Sequence, residues 1–224
     1  MKPISEVYNM DCLEYMKNIP DKWFDLAIVD PPYGISINMN MGIKKGERKK
    51  HKSKKWDNHI PSKIYFNELF RISKNQIIWG GNYFNLPLTG AWIFWDKEVP
   101  QGVSFSDGEM AWTSFTHNLK KVYIPYSGFI GKDKERIHPT QKPISLYSWI
   151  LKTYAKQRYR IFDSHLGSGS SRIAAYKLGY DFYATEIDKE YFDAQEERFR
   201  KECFGEIKLS NNTIVKQPNL FDEQ

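Results

Sequence analysis

The architecture of this chain is indicated most directly by one short run, Phe162-Asp163-Ser164-His165-Leu166-Gly167-Ser168-Gly169-Ser170-Ser171. An apolar strand over 159–162 leads into a glycine turn, and a helical pattern continues to about Leu178. In α/β proteins this arrangement brings backbone close to a ligand at the carboxyl edge of a parallel sheet. Glu186 follows Gly167 by 19 residues, at the end of the next predicted strand, where an acid accepts hydrogen bonds from ribose hydroxyls. An ordinary strand–helix turn is the alternative interpretation of this run alone.

The residues around these glycines indicate which ligand the turn would suit. Arg172 stands where the dinucleotide-binding fingerprint has its third glycine, and this disfavours a pyrophosphate cofactor. Asp163 would repel phosphate, whereas it suits a cationic group such as an ammonium or a sulfonium. The sequence therefore favours a ligand with a cationic group over NAD or another phosphate-bearing cofactor.

Short apolar runs alternate with helical patterns along most of the chain, which predicts an α/β fold with a mainly parallel sheet. A single domain is expected over 1–205, with a long surface loop at about 34–60 and a flexible polar tail over 206–224. The further predicted strands are 7–9, 24–29, 76–79, 92–95, 110–115, 121–124 and 182–185, and the further helices are 13–17, 62–73, 143–155 and 189–201.

A second run, Asp30-Pro31-Pro32-Tyr33, follows the strand 24–29, which is apolar apart from Asp25. Proline cannot donate into a strand ladder, and its fixed φ would present a carboxylate, a carbonyl and an aromatic ring rigidly at the sheet edge. This set fits a planar amine: Asp30 and the Pro31 carbonyl would accept its two N–H bonds while Tyr33 stacks on its ring. The alternative is a strand-end turn with an exposed tyrosine, which a bare Pro-Pro would favour.

A third run, His138-Pro139-Thr140-Gln141-Lys142-Pro143, immediately precedes a predicted helix. Pro143 fits the first turn of that helix, where its missing N–H costs nothing. Lys142 and the helix N-terminus together would make a small positive site that suits a carboxylate. A helix-capping loop is an equally good interpretation of these residues alone.

The excess positive charge is concentrated in one segment. The chain has 33 Lys and Arg residues against 27 Asp and Glu, a net charge of +6. Residues 44–55 have eight basic residues and one acidic residue, a net of +7, which leaves −1 for the rest of the chain. Taken alone, the run is explained at least as well as a solvated segment. Its place after Tyr33 favours contact with nucleic-acid phosphates without reading of bases. The basic residues are Lys44, Lys45, Arg48, Lys49, Lys50, Lys52, Lys54 and Lys55.

The composition disfavours several other classes of protein. With 41% hydrophobic and 27% charged residues it is typical of a globular protein and not of a disordered one. No apolar run approaches the ~20 residues of a membrane span, and the first residues lack the apolar stretch of a secretory signal. Cys12 and Cys203 are far apart, and the five histidines have no ligand spacing. Neither a disulfide framework nor a metal site is predicted, and a cytoplasmic location is expected.

Together the three runs resemble a known family. Asp-Pro-Pro-Tyr, then His-Pro-Thr-Gln-Lys-Pro, then Phe-Asp-x-x-x-Gly-x-Gly and a strand-end Glu are similar to the motifs of S-adenosylmethionine-dependent DNA amino-methyltransferases, over about residues 11–200. Their order resembles the circularly permuted β group of that family. The resemblance implies a Rossmann-like, mostly parallel, seven-stranded sheet of the methyltransferase type. It also implies S-adenosylmethionine as cofactor and double-stranded DNA as substrate, with the target base flipped out of the duplex.

The resemblance also implies roles for particular residues. Asp30, Pro31, Pro32 and Tyr33 would form the catalytic motif. The residues expected to bind the cofactor are Asp11 for the adenine, Glu186 for the ribose and, for the methionine part, His138, Thr140, Lys142, Asp163, His165, Gly167 and Gly169. One departure is visible: Ser164-His165 stands where the family usually has Pro-Phe, so that an apolar contact at the cofactor is lost and a polar one is gained.

The first letter of the catalytic motif bears on the target base. Aspartate is typical of family members that act on adenine N6 and serine of those that act on cytosine N4. The resemblance therefore favours a site-specific adenine methyltransferase, as found in restriction–modification. A cytosine-N4 enzyme and a catalytically impaired DNA-binding relative are the alternatives. Sequence recognition would fall to the basic segment or to residues 97–137.

Two further partners are suggested. The resemblance allows a homodimer. Near the end of the chain, Gln217-Pro218-Asn219-Leu220-Phe221 is similar to peptides that dock on bacterial sliding clamps, with Gln217, Leu220 and Phe221 as the contact residues. The alternative is a disordered terminus with two chance apolar residues.

Overall fold

The structure is a computed structural model that describes residues 2–35, 60–100, 102, 106–125, 136–209, 211 and 213–216. Its centre is an eight-stranded sheet in the order β1-β8-β7-β2-β3-β5-β4-β6. These strands are β1 Ser5–Tyr8, β2 Phe24–Val29, β3 Ser73–Trp79, β4 Ile93–Asp96, β5 Gly108–Thr113, β6 Lys120–Tyr123, β7 Arg160–Asp163 and β8 Asp181–Thr185. The predicted, mostly parallel α/β sheet is confirmed, but the predicted seven strands are corrected to eight, because the short strand β6 pairs in parallel with β4 at the sheet edge.

Among the described residues, four α-helices connect these strands and a fifth follows β8. They are α1 Cys12–Lys17, α2 Lys63–Ile72, α3 Ile144–Tyr154, α4 Ser170–Lys177 and α5 Lys189–Phe204. The side chains of Asp11, Ser62 and Asp188 cap α1, α2 and α5 by accepting backbone N–H bonds, as these residue types do at helix starts. Pro143 lies at the N-cap position of α3 with extended backbone, one residue before the first turn in which it was predicted.

Helices cover both faces of the sheet, which explains why β2 is apolar at every position except Asp25. On one face, Leu146 and Ile150 of α3 pack with Ala174 of α4 in one buried cluster. On the other face, Met16 of α1 packs in a second cluster with residues of α2 such as Leu69. Both clusters include residues of the central strand β2, so the end of this strand is packed on both faces of the sheet.

The order of the strands places distant parts of the sequence at one edge. β2 pairs in parallel with β7, so that Ala27 lies opposite Phe162, and the residues that follow both strands meet at the carboxyl edge. Among the described strands of this sheet, β5 runs against its neighbours β3 and β4. Its first residues, including Glu109, therefore lie at the same edge as the last residues of the parallel strands.

The C-terminal part differs from the irregular tail that the sequence predicts. After Gly205, whose φ of +67° ends α5, β9 Glu206–Lys208 and β10 Ile214–Lys216 pair as an antiparallel ribbon. The β-branched residues Ile214 and Val215 favour such pairing. Within the described ranges, no helix has the length and apolarity needed to span a membrane.

Candidate active site

The two carboxylate oxygens of Asp30 are held by two different side chains. The Tyr33 hydroxyl donates to Oδ1 over 2.5 Å, and Lys142 Nζ donates to Oδ2 over 2.5 Å. Lys142 Nζ also lies 3.4 Å from the Tyr33 hydroxyl oxygen. The second and third runs of the sequence, 112 residues apart at Asp30 and Lys142, thus meet in one cluster beyond the end of β2.

Lys142 is a buried cation shared by two carboxylates. Its side chain is 3% exposed, and Nζ lies 3.0 Å from Glu109 Oε2, an ion contact whose angles fall short of a hydrogen bond. Burial by itself lowers the pKa of Lys142, but the charges of Asp30 and Glu109 outweigh it, so this pKa lies above its ordinary value. The sequence predicts a positive site at Lys142 that suits a carboxylate, and the carboxylates that Lys142 contacts are those of Asp30 and Glu109.

Glu109 links Lys142 to a second cation. Its Oε1 lies 2.6 Å from Lys97 Nζ, and Lys97 follows β4 in sequence. Burial by itself raises the pKa of Glu109, but the charges of Lys142 and Lys97 lower it to about 2. The result is a line of alternating charges, Lys97, Glu109, Lys142 and Asp30, whose formal charges sum to zero.

The Tyr33 ring sits against backbone that only glycine allows. Gly80 has φ +65°, and a Cβ built on it would lie 2.2 Å from Tyr33 Cε1. The Tyr33 ring also stacks with the Tyr83 ring: the two ring centroids are 5.1 Å apart, and the ring planes make an angle of 14°. Burial raises the pKa of Tyr33 well above its ordinary value, so the phenol stays protonated and donates to Asp30.

Asp163, the last residue of β7, is buried at the glycine turn. Its Oδ2 accepts the Ser171 hydroxyl over 2.6 Å, and its Oδ1 accepts the His165 backbone N–H over 3.1 Å. Burial raises the pKa of Asp163 to about 7, since these two bonds offset only part of the desolvation. The carboxyl group therefore titrates near neutral pH and would be ionised more readily beside a cation.

This pKa predicts a pH-dependent stability difference between the wild type and Asp163→Asn. The ordinary pKa in an unfolded chain is about 3.9, so between about pH 4 and pH 7 the native state holds a proton that the unfolded state has lost. The contribution of the protonated Asp163 to the free energy of unfolding is fully present below about pH 4 and is lost as the pH rises to about 7. We expect the variant to gain on the wild type by up to about 1.4 kcal/mol per pH unit in that window. Urea unfolding at several pH values measures this gain.

The control for this prediction is Asp21→Asn, which changes a carboxylate that is 76% exposed. This variant removes one carboxylate from the surface and leaves the buried carboxyl group of Asp163 in place. A constant difference between Asp163→Asn and the wild type from pH 4 to pH 8 would contradict the raised pKa.

Glu186 follows β8 directly and closes the glycine turn. Its Oε2 accepts the Gly167 N–H over 2.8 Å, and its Oε1 accepts the Asp188 N–H over 2.9 Å. The side-chain amide of Asn9 donates to the Glu186 carbonyl over 2.7 Å. The spacing of 19 residues between Gly167 and Glu186 therefore corresponds to a direct hydrogen bond.

Ser164 and His165, which stand where the family usually has Pro-Phe, form a hydrogen-bonded chain with Tyr65 of α2. The Tyr65 hydroxyl lies 2.7 Å from Ser164 Oγ, which in turn lies 2.8 Å from His165 Nδ1. Burial lowers the pKa of His165 to about 4, so its imidazole is neutral at pH 7. The three side chains form a hydrogen-bonded chain that satisfies their buried polar atoms.

His138 and Thr140 lie opposite this turn. Thr140 Oγ1 is 3.1 Å from His138 Nδ1, and the His138 ring packs edge-on against Tyr191 at 4.4 Å. Tyr191 belongs to α5, the helix that follows Glu186. The third run of the sequence thus forms a wall that faces the glycine turn.

A cavity of about 920 Å³ lies between that wall and the turn. Of the expected cofactor residues, those that line it are His138, Thr140, Lys142, His165, Gly167 and Glu186, together with Asp30 and Pro32. Among the described residues, Asp163 and Gly169 lie behind the lining, and Asp11 caps α1 through bonds from the Leu13 and Glu14 N–H groups. Asp11 is therefore absent from the lining, and its contact with the adenine of the cofactor stays a prediction.

The lining of this first cavity is acidic. Its acidic residues are Asp30, Glu186, Asp188 and Glu190, and its lysines are Lys142 and Lys189. Ile187, Leu166 and Tyr191 add apolar surface. An excess of carboxylates suits a cationic ligand and disfavours a phosphate.

A second cavity of about 550 Å³ lies on the other side of Asp30. All four residues of the run Asp30-Pro31-Pro32-Tyr33 line it, with the aromatic rings of Tyr83 and Phe94 and the charged groups of Lys97 and Glu109. The two cavities share Asp30, Pro32, Thr140 and Lys142. Asp30 therefore stands in a wall between an acidic pocket and an aromatic pocket.

Several site residues have no counterpart among the residues expected from the sequence. They are Tyr65, Gly80, Tyr83, Lys97 and Glu109. An acidic residue directly before the apolar strand 110–115 and the Gly80-Gly81 pair were the visible signals for two of them. The basic residues of 44–55 and the predicted clamp peptide 217–221 lie outside the described residues, as do parts of the predicted recognition stretch 97–137.

Comparison with known proteins agrees with this geometry. A model of the DNA methylase family, of N6/N4 type, matches residues 78–197, more than half of the chain. Type II methyltransferase M.HinfI of Haemophilus influenzae is 26% identical over 94% of this chain and 71% of its own length. Type II methyltransferase M2.MboI of Moraxella bovis is 24% identical over 87% of each chain.

Solved structures share the fold. The complex of M1.HpyAVI with S-adenosylmethionine has a TM-score of 0.54 and 18% identity over 86% of this chain and 98% of that one. The cytosine-N4-specific PvuII DNA methyltransferase has a TM-score of 0.58 and 17% identity over 95% of this chain and 90% of its own. Because the family model spans more than half of the sequence, the protein belongs to the N6/N4 DNA methylase family.

Proposed function

We propose that this DNA methyltransferase transfers a methyl group from S-adenosylmethionine to the N6 amine of an adenine flipped out of double-stranded DNA. The observation that carries the proposal is the position of Asp30 in the wall shared by the two cavities. A methyl donor in one cavity and an amine in the other would meet at this carboxylate. The aspartate itself, at the first letter of the catalytic motif, favours adenine over cytosine.

The first cavity fits S-adenosylmethionine in size and charge. Its volume of about 920 Å³ lies within the usual range for ligand pockets, and its excess of carboxylates suits a sulfonium and an ammonium. Glu186 is placed to accept ribose hydroxyls, while His138 and Thr140 would cover the methionine part. Asp163, whose carboxyl titrates near neutral pH, would be ionised by the nearby positive charge.

The second cavity fits a flipped purine. Tyr33 stacks with Tyr83, and the two rings offer an aromatic platform at the mouth of the catalytic run. A base that carries an amine must leave the duplex before that amine can be reached. The volume of this cavity, about 550 Å³, is large enough for one base.

The chemistry follows from the acceptors around the amine. Asp30 and the Pro31 carbonyl accept its two N–H bonds, which pulls the nitrogen toward tetrahedral geometry and localises its lone pair. S-adenosylmethionine, when bound, supplies a methyl group on a positively charged sulfur. The amine nitrogen forms the new N–C bond while the C–S bond breaks and leaves its electron pair on sulfur; the nitrogen then loses one proton to water. Orientation and charge placement supply the rate rather than a strong base.

The proposal also includes three partners: the DNA phosphates, a sliding clamp and a second copy of this chain. The basic residues of 44–55 contact DNA phosphates, which their net charge of +7 and their place after Tyr33 support. Gln217, Leu220 and Phe221 are proposed as a clamp-docking peptide on sequence alone. A homodimer rests on the family resemblance.

Analysis of the modified base tests the function. DNA incubated with the protein and methyl-labelled S-adenosylmethionine is digested to deoxynucleosides, and we expect the label in N6-methyl-2′-deoxyadenosine. Label in N4-methyl-2′-deoxycytidine would make the protein a cytosine enzyme. Tight binding of S-adenosylmethionine in calorimetry without any label in DNA would identify a catalytically impaired relative instead.

A further inference from the structure

We propose that Glu109 is a positioning residue for methyl transfer, which holds the Lys142 ammonium between two carboxylates and so keeps Asp30 able to accept the substrate amine. This inference rests on the proposed function. The structure places Lys142 Nζ 2.5 Å from Asp30 Oδ2 and 3.0 Å from Glu109 Oε2. Glu109 is therefore the second acid that the buried ammonium faces.

The burial of Lys142 makes this second acid necessary. A buried cation needs compensating charge, and Lys142 is 3% exposed. With Glu109 absent, its full charge would face Asp30 alone. The ammonium and the substrate amine would then compete for the same carboxylate oxygens.

The charge balance leads to the same conclusion. The formal charges of Lys97, Glu109, Lys142 and Asp30 cancel, and all four residues line the cavity proposed for the base. During transfer the amine nitrogen becomes positively charged in that cavity. Removing the Glu109 charge would leave a net charge of +1 beside the developing cation, which raises the barrier.

The Lys142 ammonium is surrounded by titratable and aromatic side chains. The titratable groups that contact it are Asp30 and Tyr33 beyond β2 and Glu109 at the start of β5, with Lys97 behind Glu109 and Tyr147 of α3 near both acids. The Trp79 indole lies 5.1 Å from Nζ and adds a cation–π contact. Of these groups, Glu109 is the acid that faces Lys142 without belonging to the catalytic run.

The test is the pH–rate profile of Glu109→Gln. We expect kcat at pH 7.5 to fall by about 10- to 100-fold, the usual effect of removing an outer partner of a charged site. The KM for S-adenosylmethionine should stay within about twofold, because Glu109 is absent from the lining of the first cavity. The basic limb of the profile should move to lower pH, since Lys142 loses one of the two charges that raise its pKa. Glu109→Asp should restore part of kcat and of the basic limb.

Glu202→Gln provides the matched control. It removes the same charge from an exposed Lys–Glu pair, Lys177 Nζ to Glu202 Oε2 at 2.9 Å, on α4 and α5. This variant should keep the wild-type kcat and pH profile. A Glu109→Gln enzyme that loses thermal stability but keeps the wild-type pH profile would reduce Glu109 to a structural role and overturn the inference.

A second measurement works without activity. Lysines labelled with ¹³C at the ε carbon are followed by NMR through a pH titration, and the Lys142 signal is identified by its loss in Lys142→Met. A lower Lys142 pKa in Glu109→Gln supports the inference, and an unchanged pKa overturns it. A wild-type chain that methylates no DNA would refute the proposed function. The titration would still test whether Glu109 raises the pKa of Lys142.

Discussion

Asp30→Asn is expected to lower the rate of methyl transfer by at least about 10²- to 10³-fold, the usual effect of removing one preorganised polar contact to a transition state. Asparagine has nearly the same shape, but it lacks the negative charge that faces the amine. Single-turnover transfer of labelled methyl to DNA measures this loss. Calorimetry should show an affinity for S-adenosylmethionine within about threefold of the wild type, because Glu186 and the glycine turn are unchanged.

A double variant separates chemistry from folding. Asp30→Asn leaves the buried Lys142 ammonium with Glu109 as its remaining carboxylate, and breaking a buried ion pair costs about 3–5 kcal/mol when one partner is lost. The amide oxygen of the substituted side chain still accepts from Lys142, so the expected loss is smaller, about 1–3 kcal/mol. Adding Lys142→Met should recover stability without recovering activity. Asp21→Asn is the control for the charge change, and near-wild-type turnover in Asp30→Asn would contradict the assignment.

Gly80→Ala is expected to impair both stability and activity. A Cβ at this position would lie 2.2 Å from the Tyr33 ring, and the backbone has φ +65°. The ring must move, and with it the hydroxyl that donates to Asp30 over 2.5 Å. We expect a loss of about 2–4 kcal/mol in the free energy of unfolding, from backbone strain and overpacking together. The rate of methyl transfer should fall by on the order of tenfold or more.

Gly179→Ala isolates the contribution of the ring contact. Gly179 has a similar φ of +78°, and a Cβ there meets nothing within 4 Å. This variant should carry the backbone strain alone and keep the wild-type rate. If denaturant unfolding gave the two alanine variants equal stabilities and both retained full activity, the packing of Tyr33 against Gly80 would have no functional importance.

The parts of the site that the sequence predicts are those fixed by local chemistry. The two prolines after β2 stop a strand wherever they occur, and the strand 24–29 is confirmed to the residue. Likewise, the turn between β7 and α4 depends on Gly167 and Gly169, which adopt φ of +54° and +75°. Local rules of this kind leave a readable pattern in the sequence.

The parts that the sequence does not predict depend on long-range pairing. Glu109 reaches the site because β5 runs against the sheet, which puts Glu109 opposite Trp95 at the carboxyl edge. Tyr65 and Ser164 are 99 residues apart and meet where α2 lies beside the turn that follows β7. A buried lysine needs acidic neighbours, and the fold supplies Asp30 and Glu109 to Lys142. No motif in the sequence around Lys142 identifies these two partners.

The common wall of the two cavities has a consequence for inhibitor design. Because Asp30, Pro32, Thr140 and Lys142 border both spaces, a single molecule can join a sulfonium-like nucleoside to an amine-free purine by a linker that crosses beside Asp30. Binding of one end then presents the other at an effective concentration in the millimolar range. Such a bisubstrate compound would exceed the affinity of either half, and its best linker length would report the distance between donor and acceptor.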